Sequence, residues 1–157
     1  MTKWVCWTAP VAMVMSVTSP ACAVQYLTIA QAQKLAFPSA TRFVEQQSGR
    51  VWKAQNGDSV IGLFVFDRVI GKHLYIDYAV ALDLSGKVRR VDILQYRESY
   101  GGEVRDASWL AQFVGKTSGS ALQVDRDIRN ISGATLSSHH VTEGVKKILA
   151  LYGNQVR

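Results

Sequence analysis

Ser132, Gly133, Ala134, Thr135, Leu136, Ser137 and Ser138 run without interruption, so four hydroxyls and one glycine stand just ahead of an apolar-periodic segment. Hydroxyls in that place can do two things. A side-chain oxygen can accept from an orphan N–H of the first helical turn and act as a cap. Alternatively, the segment can hold an anion, because unpaired N–H groups and the helix dipole make a helix start a ready phosphate site. Gly133 permits a tight approach by backbone or ligand. The segment lacks the Gly-Lys-Ser/Thr ending of a Walker loop. The residues alone leave two readings open: a phosphate-holding segment, or Ser137 or Ser138 as the N-cap and nothing more.

Other candidate groups are weaker. His139 and His140, with His73, are the only histidines. Helical neighbours diverge by about 100°, which suits a shared metal poorly. Solvent exposure is the reading for both, and no metal site is expected. Asp125 and Asp127 invite comparison with a hydrolytic carboxylate pair, but a solvated strand edge is the simpler expectation. No catalytic residue is assigned. Arg89, Arg90, Arg97, Arg105, Arg126 and Arg129 give the middle of the chain a basic tone, which suits solvated arginines or docking to an acidic redox partner or a membrane surface.

Ile131-Ser132-Gly133-Ala134-Thr135-Leu136-Ser137-Ser138 resembles the flavinylation motif of the FMN-binding domain family, Ser/Thr-Gly-Ala-Thr/Ser. That family includes the C and G subunits of sodium-pumping and Rnf-type membrane oxidoreductases and many small exported flavoproteins. The resemblance implies FMN held covalently on Thr135 through a phosphoester bond, made from FAD by a separate magnesium-using flavin transferase. The phosphate would then sit over Gly133, Ala134 and the start of the last helix, with Ser132, Leu136 and Ser137 also among the cofactor-binding residues. Arg97-Glu98-Ser99-Tyr100-Gly101-Gly102 is similar to the family's Glu-Thr-Pro-Gly segment, with Tyr100 in place of Pro. This similarity puts Glu98, Ser99, Tyr100 and Gly101 near the flavin, Tyr100 stacking on or edging the ring. The family commonly has an Asp six residues before the acceptor, thought to help the transferase recognise its substrate. Arg129 stands there, and Asp127 is the nearest upstream acid. The resemblance covers about Leu74 to Tyr152.

The elements that must position these residues are legible in outline. Thr28-Ile29-Ala30-Gln31 reads as a capping box, and Ile29, Ala32, Leu35 and Ala36 give a helix over about 29–36, ended by Pro38. A second helical turn is expected to include Phe43 and Val44. Strands follow over Val51–Ala54, Val60–Ile70, Leu74–Leu82 and Val88–Tyr96, joined at Asn56-Gly57, Gly71-Lys72 and Ser85-Gly86. The phase slips at Ile93-Leu94, which predicts a bulge. Asp106 is expected to cap a helix carrying Trp109, Leu110 and Phe113, stopped at Gly115. The last helix is expected from about Ser138 to Tyr152. Val141, Val145, Ile148, Leu149 and Tyr152 form its apolar stripe. Thr142, Glu143, Lys146 and Lys147 face out, with Glu143 pairing Lys147. The fold class is α+β, an antiparallel sheet flanked by helices in a single domain.

Length and charge set the bounds. The chain has 157 residues and a net charge of +6, with 48% hydrophobic and 19% charged residues, which argues against disorder. Lys3 is followed by an apolar stretch over Ala9–Val17, a Ser19-Pro20 break and a small-x-small Ala21-Cys22-Ala23. This pattern predicts a signal peptide over 1–23, and the resemblance implies an FMN-binding domain over the remaining 24–157. Retention as an anchor, or acylation at Cys22, stays open. Cleavage leaves 134 residues with 17 Lys+Arg against 12 Asp+Glu, a net +5, and removes both cysteines, Cys6 and Cys22. Disulfides and thiolate chemistry are then excluded.

The expected function is an exported flavoprotein electron carrier in the periplasm or on the extracytoplasmic face of the membrane. It relays electrons between membrane or periplasmic redox partners rather than acting as a self-sufficient oxidoreductase. Its maturation partner is the flavin transferase. Peripheral membrane contact fits; nucleic acid does not. The alternative is a noncatalytic exported binding or structural module.

Overall fold

The computed structural model describes residues 24–156. The signal-peptide expectation over 1–23 lies outside the described residues. Helix α1, Ile29–Ala36, begins at the expected capping box: Thr28 Oγ1 accepts from Gln31 N, and the Gln31 side chain accepts from Thr28 N at 2.8 Å. Strand β1 is Val24–Gln25, β2 Arg42–Gln47, β3 Val51–Asn56, β4 Ser59–Ile70, β5 Tyr75–Leu82 and β6 Val88–Tyr96. They form one antiparallel sheet in the order β1-β6-β5-β4-β3-β2. From β2 onward it is a meander, and β1 closes the far edge against β6.

Residues Phe43 and Val44, expected in a helical turn, lie in β2. Pairing with β3 overrides their weak local preference: Phe43 stands opposite Ala54 and Val44 opposite Lys53. The phase slip in β6 is a bulge, since Asp77 faces Gln95 but Tyr78 faces Ile93, which leaves Leu94 unpaired in the register.

The centre of the sheet is buried on both faces, most completely at β5. Alternation along β5 therefore sorts side chains by size rather than by exposure. Ile76, Tyr78, Val80 and Leu82 pack with Val141, Val145, Ile148 and Leu149 of helix α3, Thr135–Tyr152. On the other face Ala79 and Ala81 meet Ala32, Ala36 and Phe37, and the four alanines let α1 sit close to the sheet. On the first face, the α3 backbone comes close to the sheet at Gly144. A Cβ there would stand 2.4 Å from the Tyr78 hydroxyl and 2.9 Å from Val69.

The segment between β6 and α3 is less regular than expected. A 3₁₀ turn, Gly102–Arg105, leads into α2, Ala107–Leu110, and a second 3₁₀ turn, Ala111–Phe113. Asp106 sits at the cap position, yet its side chain makes no cap bond. The turn is held instead by its carbonyl, which accepts from Trp109 N and Leu110 N. Trp109 and Phe113 meet edge-on at 5.1 Å and join the core.

Helix α3 starts three residues earlier than the predicted Ser138. Ser137 and Ser138 are buried within its first turn rather than capping it. Thr142, expected outside, is buried and donates to Ser138 O at 2.7 Å. Lys147 of α3 reaches Asp67 on β4 at 3.7 Å, instead of Glu143. No helix among the described residues is long and apolar enough to cross a membrane.

Candidate functional site

The motif segment meets two other segments at one end of the sheet. Gly133 takes φ +84°, a left-handed turn that glycine adopts without strain. Ala134 N closes that turn on Ile131 O at 2.9 Å. Ala134 is buried at the N-cap, and Thr135, the first residue of α3, is exposed. Ser138 N returns to Ala134 O at 2.9 Å. The N–H groups of Thr135, Leu136 and Ser137 find no acceptor among the described residues. These are the orphan donors of a helix start, clustered around the Thr135 hydroxyl.

The segment after β6 is bound to this turn. The Tyr96 hydroxyl lies 3.1 Å from Ser137 Oγ and also donates to Tyr100 O. Burial, the largest effect, raises the Tyr96 phenol above its usual pKa, against the Ser137 contact, which lowers it. Gly101, at φ +88°, comes so close to Ala134 that a Cβ would stand 3.1 Å from the Ala134 Cβ. The two motif segments are thus packed through a glycine and an alanine.

The third segment is the β4–β5 turn. The Glu98 carboxylate accepts from His73 N and from Leu74 N, the latter at 2.8 Å. Burial alone would raise its pKa, but the N–H groups of Leu74, His73 and Lys72 outweigh this and lower it. From the opposite side His140 Nδ1 lies 3.2 Å from Gly71 O.

A cleft of about 420 Å³ opens between the three segments, lined by Lys72, His73, Glu98, Ser99, Tyr100 and Gly133 through Ser137. That volume is in the range of cofactor clefts, roughly 300–1,000 Å³. Of the expected site residues, Glu98, Ser99, Tyr100, Gly133, Ala134, Thr135, Leu136 and Ser137 line it together. Ser132 and Gly101 stand outside the lining, Ser132 exposed and Gly101 buried behind it. Tyr100 is 86% exposed and Leu136 49%, so an aromatic and an aliphatic side chain stand at the mouth. The Ser137 hydroxyl is turned inward to Tyr96, which leaves its N–H for the cleft. Lys72 and His73 are additions. The sequence marked Gly71-Lys72 only as a turn, and the contact to Glu98 that brings it here spans more than twenty residues.

The donor set fits a phosphorylated cofactor: free helix-start N–H groups, an exposed hydroxyl and a mouth with apolar surface. It offers little to a metal, and among the described residues no group of three or more His, Cys, Asp or Glu converges. His139 is exposed. Asp127 is no solvated edge: it accepts from Gln123 N at 2.7 Å, Leu122 N at 3.1 Å and Lys116 Nζ at 2.9 Å. The Gln123 N–H and the Lys116 ammonium, opposed by burial and helped by Leu122, lower its pKa to about 2. Arg129 is fixed through its backbone, its carbonyl accepting from Trp109 Nε1 at 2.7 Å and its N–H donating to Gln112 at 2.8 Å, while its side chain is exposed.

Most of the arginines are committed within the fold. Arg90 grips Asp92 through two bonds of 2.7 Å, Arg97 binds Asp77 at 2.8 Å, Arg89 caps Ala36 O at 2.7 Å, and Arg105 lies 4.8 Å over the Tyr26 ring.

No curated protein matches the chain. A family model does: that of the FMN-binding domain matches residues 71–150, half of the chain, from the β4–β5 turn through most of α3. With the cleft built from three segments inside that span, the chain belongs to the FMN-binding domain family.

Proposed function

We propose that this protein is an exported electron carrier whose FMN is joined to Thr135 through a phosphoester bond. The observation that carries this reading is the exposed Thr135 at the first position of α3, in a cleft beside helix-start N–H groups with no acceptor among the described residues. Transfer of the FMN unit from FAD to Thr135 Oγ would break the pyrophosphate bond, release AMP and the threonine proton, and leave a phosphodiester carrying one negative charge. The α3 N-terminus suits that charge.

When bound, FMN supplies one- and two-electron chemistry, and the chain's residues bind and orient it. Thr135 is the tether. Gly133 and Ala134 form the turn below the phosphate, and Tyr100 and Leu136 offer surface to the ring at the cleft mouth. Glu98, the one carboxylate in the lining, is spent on backbone N–H groups.

Export rests on the signal-like segment over 1–23 and on the logic of a tether. Outside the cytoplasmic membrane no reservoir of free cofactor replaces what dissociates, and a covalent bond removes that loss. The partners that follow are a flavin transferase and a membrane-bound or periplasmic redox protein, with the carrier in the periplasm or on the outer face of that membrane. The test is Thr135→Ala, co-expressed with a flavin transferase and viewed for flavin fluorescence on a denaturing gel. The fluorescent band of the parent protein should vanish in the variant; a band of equal strength in Thr135→Ala would refute the acceptor assignment.

A further inference from the structure

The wall of the cleft formed by the β4–β5 turn has a role of its own. We infer that Lys72, as a cation, and His73, as a hydrogen-bonding group, form a wall that faces the flavin ring and favours its reduced form, with Glu98 as the positioning residue of that wall. This rests on the FMN reading above.

Lys72 and His73 line the same cleft as Thr135. Both are exposed, and neither side chain makes an ion pair or hydrogen bond among the described residues. Arginines on the adjoining strands are spoken for: Arg68 and Arg97 pair with Asp77. The turn that carries Lys72 and His73 is nonetheless held firmly. Glu98 accepts from two of its N–H groups, Gly71 N bonds Leu74 O at 2.7 Å, and His140 meets Gly71 O at 3.2 Å. Gly71 makes room for this clamp, because a Cβ there would lie 2.7 Å from Glu98 Oε1. An unpaired cation on a braced turn is placed to meet a ligand.

The helix start takes the phosphate, so the wall across from it is left to the remainder of the cofactor. Uptake of two electrons from a partner redox protein and of one proton from solvent leaves the ring with one negative charge. An ammonium group alongside stabilises that charge more than it does the neutral oxidised ring, so it raises the midpoint potential.

The test is a dye-equilibrated reductive titration of the flavin-loaded full chain and its variants, following the flavin absorbance. Lys72 and His73 are exposed, so their replacement spares the core. Lys72→Ala should shift the midpoint potential to more negative values, Lys72→Glu further, and His73→Ala in the same direction. Glu98 separates positioning from simple charge. Glu98→Gln loses the negative charge but keeps an acceptor for the turn, and should sit at or above the parent potential. Glu98→Ala frees the turn and should fall below the parent, although it also loses the negative charge. Parent-like potentials in both Lys72 variants would overturn the wall, and Glu98→Ala at or above the parent would overturn the positioning role, with FMN binding intact in either case. A parent chain that takes up no flavin, covalent or free, would overturn the FMN reading and this inference together.

Discussion

The Tyr96 hydroxyl at the end of β6 lies 3.1 Å from Ser137 Oγ in the first turn of α3, and it donates to Tyr100 O as well. One phenol thus ties together the end of the sheet, the loop that carries Glu98 to Tyr100, and the helix start that carries Thr135. The two hydroxyls are buried together.

Tyr96→Phe should therefore cost more than one exposed hydrogen bond. Ser137 Oγ would be left buried without its partner, a loss of about 1–2 kcal/mol. Chemical denaturation should show a lower midpoint with an unchanged slope. An unchanged midpoint would mean that the contact does not support the fold.

Tyr78 predicts the opposite sign. Its hydroxyl is fully buried beneath Gly144 and has no hydrogen-bond partner among the described residues. Burial first, and then the charge of Asp67, raise its pKa far above the usual phenol value. Tyr78→Phe removes an unsatisfied polar group while keeping the ring, so it should leave stability unchanged or raise it by up to about 1 kcal/mol. A clear loss in thermal unfolding would mean that the hydroxyl has a partner, such as an ordered water.

Asp127 makes stability pH-dependent. Its folded pKa, about 2, lies below the ordinary carboxylate value, so its contribution is complete above about pH 4 and is lost as pH falls toward 2. The Gln123 N–H and the Lys116 ammonium are the main causes. Asp127→Asn should be less stable than the parent at neutral pH and should flatten the dependence between these limits. Parallel curves for the two proteins would remove Asp127 as the source.

Arg129 offers a gain-of-function test. It occupies the place where the family motif commonly has an Asp, its side chain is exposed, and Asp127 is turned inward on its own loop. Arg129→Asp should be flavinylated several-fold faster by a transferase that prefers the acid, followed as fluorescence gained per unit time. An unchanged or slower rate would mean that the maturing enzyme does not read this position.

The parts legible in the sequence are those decided by nearby residues. The α1 capping box depends on Thr28 and Gln31, three apart, and the β6 bulge shows as a broken alternation at Leu94. The motif turn and Thr135 are contiguous as well. What was misread depends on distant partners. Ser137 and Ser138 have the look of caps, but Tyr96 and the core draw them inside and α3 begins at Thr135. Phe43 and Val44 become strand only because β3 is there to pair with. Lys72 and His73 join the cleft through a carboxylate on the far side of two strands, and no local pattern announces that.

The most direct measurement is the intact mass of the secreted chain, purified from a host that makes a flavin transferase, with peptide mapping of any modified fragment. The account predicts the mass of the processed chain plus FMN less one water, mapped to Thr135. An unmodified mass from that host, with transferase activity verified on another substrate, would contradict it.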